Sequence, residues 1–157
     1  MRRVAITGHR ELPAEVERAV AGALRDRLRH IEGPVTGLSC LADGADTLFA
    51  RAVLEHGGAL EAVVPAERYR DGLPAGHRAV YDELLAAAVL VHHLPHVEST
   101  PQAHLEAGRY LVEHCDELMA AWDGRPPRGP GGTADIVDYA RRQHRAVTVV
   151  WPEGARR

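Results

Sequence analysis

The sequence has few aromatic side chains and no strong excess of charge, and each shortage narrows the class of protein. Aromatic residues make up 4% of the 157 residues, while alanine, valine and leucine are abundant. Such small and branched side chains are typical of the core of a helix-flanked parallel sheet. The formal net charge is −3, which argues against a nucleic-acid partner bound through bulk positive charge, although a local basic patch stays open.

The two cysteines, Cys40 and Cys115, stand far apart, which excludes a disulfide framework and a CxxC zinc knuckle. Histidine is abundant, with ten residues. However, His92 and His93 are neighbours in a predicted strand and therefore point to opposite faces. No cysteine or carboxylate stands at a zinc spacing from them. We therefore expect neither a metal site nor a cofactor.

No apolar run approaches the roughly 18 residues that a membrane-spanning helix needs. Residues 1–8 pass directly into an apolar strand pattern and show no leader peptide. These features predict a cytoplasmic protein with no membrane partner.

Strand and helix patterns alternate along the chain. Short apolar runs predict strands at residues 4–7, 35–39, 60–64, 89–91, 118–122 and 147–151. Apolar residues at helical spacing lie between them, as in Val16, Val20, Leu24 and Leu28. This order predicts an α/β protein with a three-layer Rossmann-like fold, in which a mostly parallel sheet of about six strands carries helices on both faces. We expect a single domain over residues 1–157.

The segment after the fifth predicted strand has the features of an anion site. Gly131 and Gly132 would let a ligand approach the backbone closely. Thr133 is predicted to cap the next helix, whose free N–H groups and positive dipole end favour a phosphate. Asp135 falls in the first turn, where it either complements the helix dipole or serves as an acid near a ribose. Asp123, directly after the strand, is a candidate to bind sugar or base.

Three polar residues follow the first predicted strand. Gly8 allows a tight turn, and His9 could hydrogen-bond a base or a sugar. Arg10 either makes a forked contact with a phosphate or pairs with a nearby acid such as Glu11 or Glu15.

The second predicted strand ends in another polar segment. Ser39 could bind a phosphate or only the turn backbone. Asp43 and Asp46 flank Gly44, and each is either a helix-capping acid or a ligand for a ribose hydroxyl. Because the carboxyl ends of parallel strands meet at one edge, all three segments are predicted to form one site.

Arg109 lies on the apolar stripe of its predicted helix, between Leu105 and Val112. An arginine there must extend into solvent or find a partner. It either pairs with Glu106 or Glu113 along the helix, or it points into the cleft beside the fifth strand.

Residues 7–10, 38–46, 108–124 and 131–133 together resemble the SLOG superfamily. That group joins the DNA-processing SMF/DprA proteins, the "lonely guy" (LOG) enzymes that activate cytokinins and small YpsA-like proteins. The resemblance spans nearly the whole chain and is greatest to small bacterial members. It implies a Rossmann-like fold, a nucleotide-type ligand at Gly131-Gly132-Thr133 and, because relatives commonly pair through helices, a homodimer.

The resemblance also implies an alternative activity. LOG enzymes hydrolyse the N-glycosidic bond of a nucleoside 5′-monophosphate, and their motif is P-G-G-x-G-T-x-x-E with an arginine on the preceding helix. Under this alternative, Arg109 would orient the sugar phosphate and Asp135 would act as the acid. This chain lacks the x-G before Thr133, and its acid is displaced. We therefore expect binding or sensing of a nucleotide or related phosphorylated molecule, with hydrolysis as the alternative and DNA handling as a weaker third.

Overall fold

A computed structural model of the chain describes residues 1–126 and 132–155. Six strands form one sheet: β1 (Arg2–Gly8), β2 (Val35–Ser39), β3 (Ala59–Val64), β4 (Leu90–His93), β5 (Glu117–Ala121) and β6 (Ala146–Val149). Their order across the sheet is β4-β3-β2-β1-β5-β6, and every pairing is parallel. The sheet is thus wholly parallel, where a mostly parallel one was predicted.

Five helices connect the strands: α1 (Ala14–Arg29), α2 (Ala45–Glu55), α3 (Arg78–Ala87), α4 (Pro101–Glu113) and α5 (Thr133–Arg142). Two short 3₁₀ turns, Arg70–Gly72 and Ala75–His77, precede α3. Helices α1 and α2 pack on one face of the sheet, and α4 and α5 pack on the other. This is the predicted three-layer Rossmann-like α/β fold. No helix in the described ranges is long and apolar enough to span a membrane.

The alternation of side chains along β1 divides the core between the two faces. Val4 and Ile6 pack with the predicted stripe of α1, whereas Ala5 packs with residues of α4 and α5. Because both faces are covered, the central strands are apolar on both sides, as in other parallel sheets.

The sequence of residues 97–101 predicts a loop that ends in a helix cap and a proline, and helix α4 begins in this way. Thr100 is its N-cap and accepts a hydrogen bond from the Ala103 N–H at 3.1 Å, and Pro101 is its first residue. This match follows from chemistry that is local in sequence.

The other two predicted caps are wrong by one residue. Gly132, not Thr133, is the N-cap of α5, and Thr133 is the first helical residue. Gly44, not Asp43, is the N-cap of α2, with a φ of 84° that favours glycine. In both places the residue that bends the chain into the helix is glycine, so the polar side chain that follows or precedes it is left for other contacts.

Strand β1 lies at the topological switch point of the sheet. The chain leaves β1 toward β2 through α1 on one face, and it leaves β5, on the other side of β1, through α5 on the opposite face. The two connections therefore diverge, and they open a crevice beyond the carboxyl ends of the central strands. Open α/β sheets bind ligands at such a crevice.

Candidate ligand site at the carboxyl edge of the sheet

A cavity of about 1030 Å³ occupies this crevice. Its walls come from the segments that follow β1, β2, β3 and β5, and from one face of α4. Small-molecule sites commonly have volumes of about 300–1,000 Å³. The cavity is therefore large enough for a mononucleotide.

The structure brings seven of the predicted site residues to the cavity wall and leaves five described ones away from it. Those that line it are Gly8, His9, Arg10, Asp43, Asp46, Gly132 and Thr133. Those outside the lining are Ser39, Gly44, Asp123, Arg109 and Asp135. Gly131 lies outside the described residues.

Ser39 and Gly44 shape the turn after β2 from behind the cavity. The Ser39 hydroxyl, which is fully buried, accepts from the Leu41 N–H at 3.0 Å and donates to the Asp46 carbonyl at 3.2 Å. Both capacities of this hydroxyl are thus used by the protein. Of the two roles left open for Ser39, the structure supports the bond to the turn backbone.

Arg109 and Asp135 do not meet at the cavity. The Arg109 side chain is exposed, and its guanidinium lies over the ring of Tyr139, 5.3 Å from the ring centre. Asp135 is half-buried in the first turn of α5, and its N–H donates to the Gly132 carbonyl at 3.1 Å. Neither residue of the hydrolase alternative therefore lines the cavity.

His9 and Asp123 join the ends of β1 and β5 beneath the cavity. The Asp123 N–H donates to His9 Nε2 at 3.3 Å, and Asp123 Oδ1 lies 3.4 Å from the same nitrogen. The His9 ring also packs edge-to-face on Trp151, with 5.3 Å between the ring centres. Asp123 is therefore a neighbour of a lining residue rather than a lining residue itself.

One end of the cavity presents the N-terminus of α5. Gly132, Thr133 and Ala134 line it, and the helix's hydrogen bonds to the Gly132 carbonyl begin with the N–H groups of Asp135 and Ile136. The N–H groups at the two preceding positions belong to the orphan donors of a helix N-terminus. Together with the positive end of the helix dipole, they favour an anion.

Two arginines add positive charge to the wall. Arg10 donates from Nε and Nη2 to the same oxygen of Asp43, at 3.0 and 2.8 Å. This pairing was not one of the predicted ones, because Asp43 is distant in sequence. Arg125 also lines the cavity and is exposed, and its guanidinium has no ion-pair partner within residues 1–126 and 132–155.

Asp46 is the most perturbed carboxyl group of the cavity. Burial raises its pKa to about 7, and the nearby Asp43 carboxylate acts in the same direction. The Ala42 N–H and Arg10 lower the pKa but do not cancel the effect of burial. At neutral pH this side chain therefore exists in both its neutral and its charged form.

Several lining residues carry chemistry that the sequence analysis did not single out for the site. They are Cys40, Tyr69, His104, Trp122 and Arg125. Tyr69 lies in the connection after β3, and its position beyond a strand's carboxyl end was a usable signal. His104 lies one turn into α4. It reaches the cavity only because α4 packs on the face of the sheet that also carries α5, which the sequence does not reveal. Within the described part of the chain, no cluster of three or more metal-ligand side chains occurs.

Neither a family model nor a curated protein matches the chain. Solved structures do match. DNA processing protein A from Streptococcus pneumoniae matches with a TM-score of 0.69 at 19% identity, over 94% of this chain and 50% of that one. The protein of that name from Helicobacter pylori, described with a single-stranded DNA binding mode, matches with a TM-score of 0.70 at 15% identity, over 94% of this chain and 64% of that one.

The molybdenum cofactor binding protein from Rippkaea orientalis matches as well, with a TM-score of 0.62 at 11% identity, over 94% of this chain and 75% of that one. The chain thus spans half to about two thirds of the two DNA processing proteins. At these identities the likeness concerns the backbone. The chain has the Rossmann-like fold of these proteins, in agreement with its sequence resemblance to the SLOG superfamily.

Proposed function

We propose that this protein binds a nucleotide or a related phosphorylated small molecule in the cavity at the carboxyl edge of the sheet, within a single domain over residues 1–157. The observation that carries the proposal is that one cavity of about 1030 Å³ joins the N-terminus of α5 to the segments after β1, β2 and β3. A phosphate at one end and a sugar and ring at the other would fill a space of this shape.

The phosphate is assigned to the N-terminus of α5. The N–H groups at Thr133 and Ala134 can donate to phosphate oxygens, and the helix dipole adds to the attraction. Arg125 can supply a charge-assisted hydrogen bond from the loop before α5. Arg10 is a weaker candidate, because Asp43 already occupies two of its donors.

The test is calorimetric titration of four nucleoside 5′-monophosphates, ribose 5-phosphate and the corresponding unphosphorylated nucleosides. We expect at least one monophosphate and ribose 5-phosphate to bind, and each nucleoside to bind at least about tenfold more weakly than its monophosphate, since a charge-assisted hydrogen bond contributes about 1.5–3 kcal/mol. Gly132→Val, which places a side chain at the mouth of α5, should weaken the best monophosphate by a similar factor.

Gly22→Val is the matched control, because a Cβ at Gly22 in α1 would meet no atom nearer than 4.0 Å. Equal binding of nucleoside and monophosphate, or full affinity in Gly132→Val, would overturn the phosphate assignment. The titrated samples also test for turnover, because free base in them would indicate the hydrolase activity. Neither Arg109 nor Asp135 lines the cavity, so its lining adds no support for that second activity.

Three further expectations are part of this proposal. The comparisons give no support to the expected absence of a nucleic-acid partner, since one similar structure is described with a single-stranded DNA binding mode. A single-stranded oligonucleotide therefore belongs among the probes. The homodimer and the cytoplasmic location remain predictions from the sequence, and light scattering on the purified protein tests the first of them.

A further inference from the structure

Two polar groups of the cavity have no hydrogen-bond partner among the described residues: the Tyr69 hydroxyl and Asp46 Oδ1. Tyr69 is only 5% exposed, and it lines the cavity, as does Asp46. Neither group is among the described buried side-chain atoms that lack both solvent contact and a hydrogen bond. The two cavity groups therefore keep access to the cavity space. A buried hydroxyl normally has a partner, so this one is available for a ligand.

The contacts of Asp46 determine which of its oxygens carries the proton. Oδ2 accepts the Ala42 N–H at 3.3 Å. The carbonyl oxygen is the better acceptor of a neutral carboxyl group, which assigns the O–H to Oδ1, the oxygen without a partner among the described residues. With a pKa of about 7, the neutral form is well populated at neutral pH. Neutral Asp46 is thus a hydrogen-bond donor that faces the cavity.

The groups around Asp46 are mostly uncharged. Burial raises the pKa values of the Cys40 thiol and the Tyr69 hydroxyl well above their ordinary values, and it lowers that of His104, which the Arg10 charge lowers further. The charged groups that act on Asp46 include Arg10 and Asp43, which are paired with each other. Pro65, Leu73 and Pro74 add uncharged surface to the same cavity.

We infer that this part of the cavity, defined by Cys40, Asp46, Tyr69, Leu73 and His104, holds the heteroaromatic ring of the ligand. Protonated Asp46 and the Tyr69 hydroxyl donate hydrogen bonds to ring-nitrogen or carbonyl acceptors. The inference rests on the proposed function and names the part of the nucleotide that this second region recognises.

The chemistry favours a ring over other groups. A second phosphate would bring negative charge next to Asp46 and Asp43, with Arg10 already paired. A purely aliphatic group would cover the Tyr69 hydroxyl and Asp46 Oδ1 without partners, which costs about 1–3 kcal/mol for each. A flat, neutral ring with acceptors at its edge avoids both costs.

The experiment measures the affinity of the tightest-binding nucleoside monophosphate relative to ribose 5-phosphate, from pH 6 to pH 9. Both probes carry the same phosphate group, so the effect of its titration cancels in the ratio of their affinities. We expect the ratio to fall about tenfold between pH 7 and pH 8.5 as Asp46 loses its proton, while ribose 5-phosphate alone stays level.

Variants separate a proton donor from a charged acceptor. Asp46→Asn keeps an acceptor for the Ala42 N–H and a permanent donor in place of the O–H. It should keep the wild-type ratio within about threefold at pH 7 and lose the pH dependence. Asp46→Ala and Tyr69→Phe should each lower the ratio about tenfold. Asp138→Asn and Tyr139→Phe make the same chemical changes at α5 residues outside the cavity lining, and they should have no effect.

The outcomes distinguish this inference from the proposed function. Suppose that ribose 5-phosphate binds but the affinity ratio is the same at every pH and in Asp46→Asn, Asp46→Ala and Tyr69→Phe. The ring assignment is then wrong, and the phosphate assignment stands. If Asp46→Asn loses binding and the wild type binds more tightly at high pH, the carboxylate accepts and the donor role is wrong. If neither probe binds, the proposed function fails, and this inference fails with it.

Discussion

Gly44 lies against the carbonyl group of Arg10. A Cβ at Gly44 would come within 2.0 Å of the Arg10 carbonyl oxygen and 2.6 Å from that of His9. The Ala45 N–H donates to the same His9 carbonyl at 3.2 Å. This contact joins the loop after β1 to the start of α2, so it fixes the relative position of two walls of the cavity.

Gly44→Ala should therefore destabilise the protein strongly. The residue has a φ of 84° and a ψ of −132°, a region that only glycine adopts readily. The backbone strain and the collision with main chain should together lower the free energy of unfolding by roughly 3 kcal/mol or more. Urea denaturation measures this change.

Gly57→Ala separates the two causes. Gly57 has nearly the same φ, 83°, but a Cβ there would meet no atom within 4 Å. We expect this control to cost only about 1–2 kcal/mol, the cost of the left-handed conformation. Equal losses in the two variants would show that the contact with Arg10 adds nothing to the backbone strain.

The general position of the site could be predicted from the sequence, because it follows from topology. Once the strands are parallel, the segments after them meet at one edge, and this brings Arg10, Asp46 and Gly132 to one cavity. Thr100 was predicted as a cap because its interaction with Ala103 is local in sequence. These are the features that depend on short-range patterns and on the order of the elements.

The chemistry of individual side chains could not be predicted in this way. The Arg10–Asp43 pair joins residues from two different connections, and no periodicity indicates it. The pKa of Asp46 depends on burial by the surrounding segments. The burial of Tyr69 depends on its packing against Tyr81 and His104, whose ring centres lie 5.8 and 5.7 Å away.

Glu117 forms a buried ionic cluster at the opposite edge of the sheet. The residue is 0% exposed, and it accepts hydrogen bonds from Arg2, Arg27 and Thr148 at 2.7–3.1 Å. Burial alone would raise its pKa, but the hydrogen bonds from Arg27, Thr148 and Arg2 outweigh burial and hold the pKa below its ordinary value of 4.5.

Glu117→Gln should lower the free energy of unfolding by about 2–3 kcal/mol at pH 7, less than for a fully buried pair because both arginines are partly exposed. A carboxyl whose pKa is lower in the folded state stabilises the fold above the unfolded pKa. Its contribution is lost as the pH falls through the folded value. The difference in the free energy of unfolding between wild type and variant should therefore become smaller below pH 4.5. Glu83→Gln, at an exposed site on α3, should cost little at any pH.

Asp46 should have the opposite effect on stability. Its pKa rises from 3.8 to about 7 on folding, so between these pH values the folded state binds the proton that the unfolded chain has released. Stability then falls as the pH rises through this range. Ligand-free Asp46→Asn should be more stable than the wild type by roughly 2–4 kcal/mol at pH 8, and equal to it near pH 4.

Thermal or urea unfolding at the two pH values checks this prediction, with Asp138→Asn as the control for charge removal at an exposed site. A variant less stable than the wild type at pH 8 would mean that the Asp46 charge supports the fold. Greater stability in a variant whose ligand recognition no longer depends on pH would identify Asp46 as a residue retained for binding at the expense of stability.

Cys40 should react slowly with iodoacetamide although it lines the cavity. Burial and the Asp46 carboxylate raise its pKa well above 9.0, and only the thiolate is a nucleophile. At pH 8 we expect the alkylation of Cys40 to be at least about tenfold slower than in the urea-unfolded chain, because a shift of one pKa unit lowers the thiolate fraction by that factor.

A bound nucleotide should slow the alkylation of Cys40 further by covering the cavity. Cys115 is the internal control: its pKa is raised to about 11, it lies outside the cavity lining, and its rate should not respond to the nucleotide. Peptide mapping by mass spectrometry resolves the two residues. A Cys40 alkylation rate that equals the rate in the unfolded chain and does not change with the nucleotide would contradict both the raised pKa of the thiol and the proposed position of the ring.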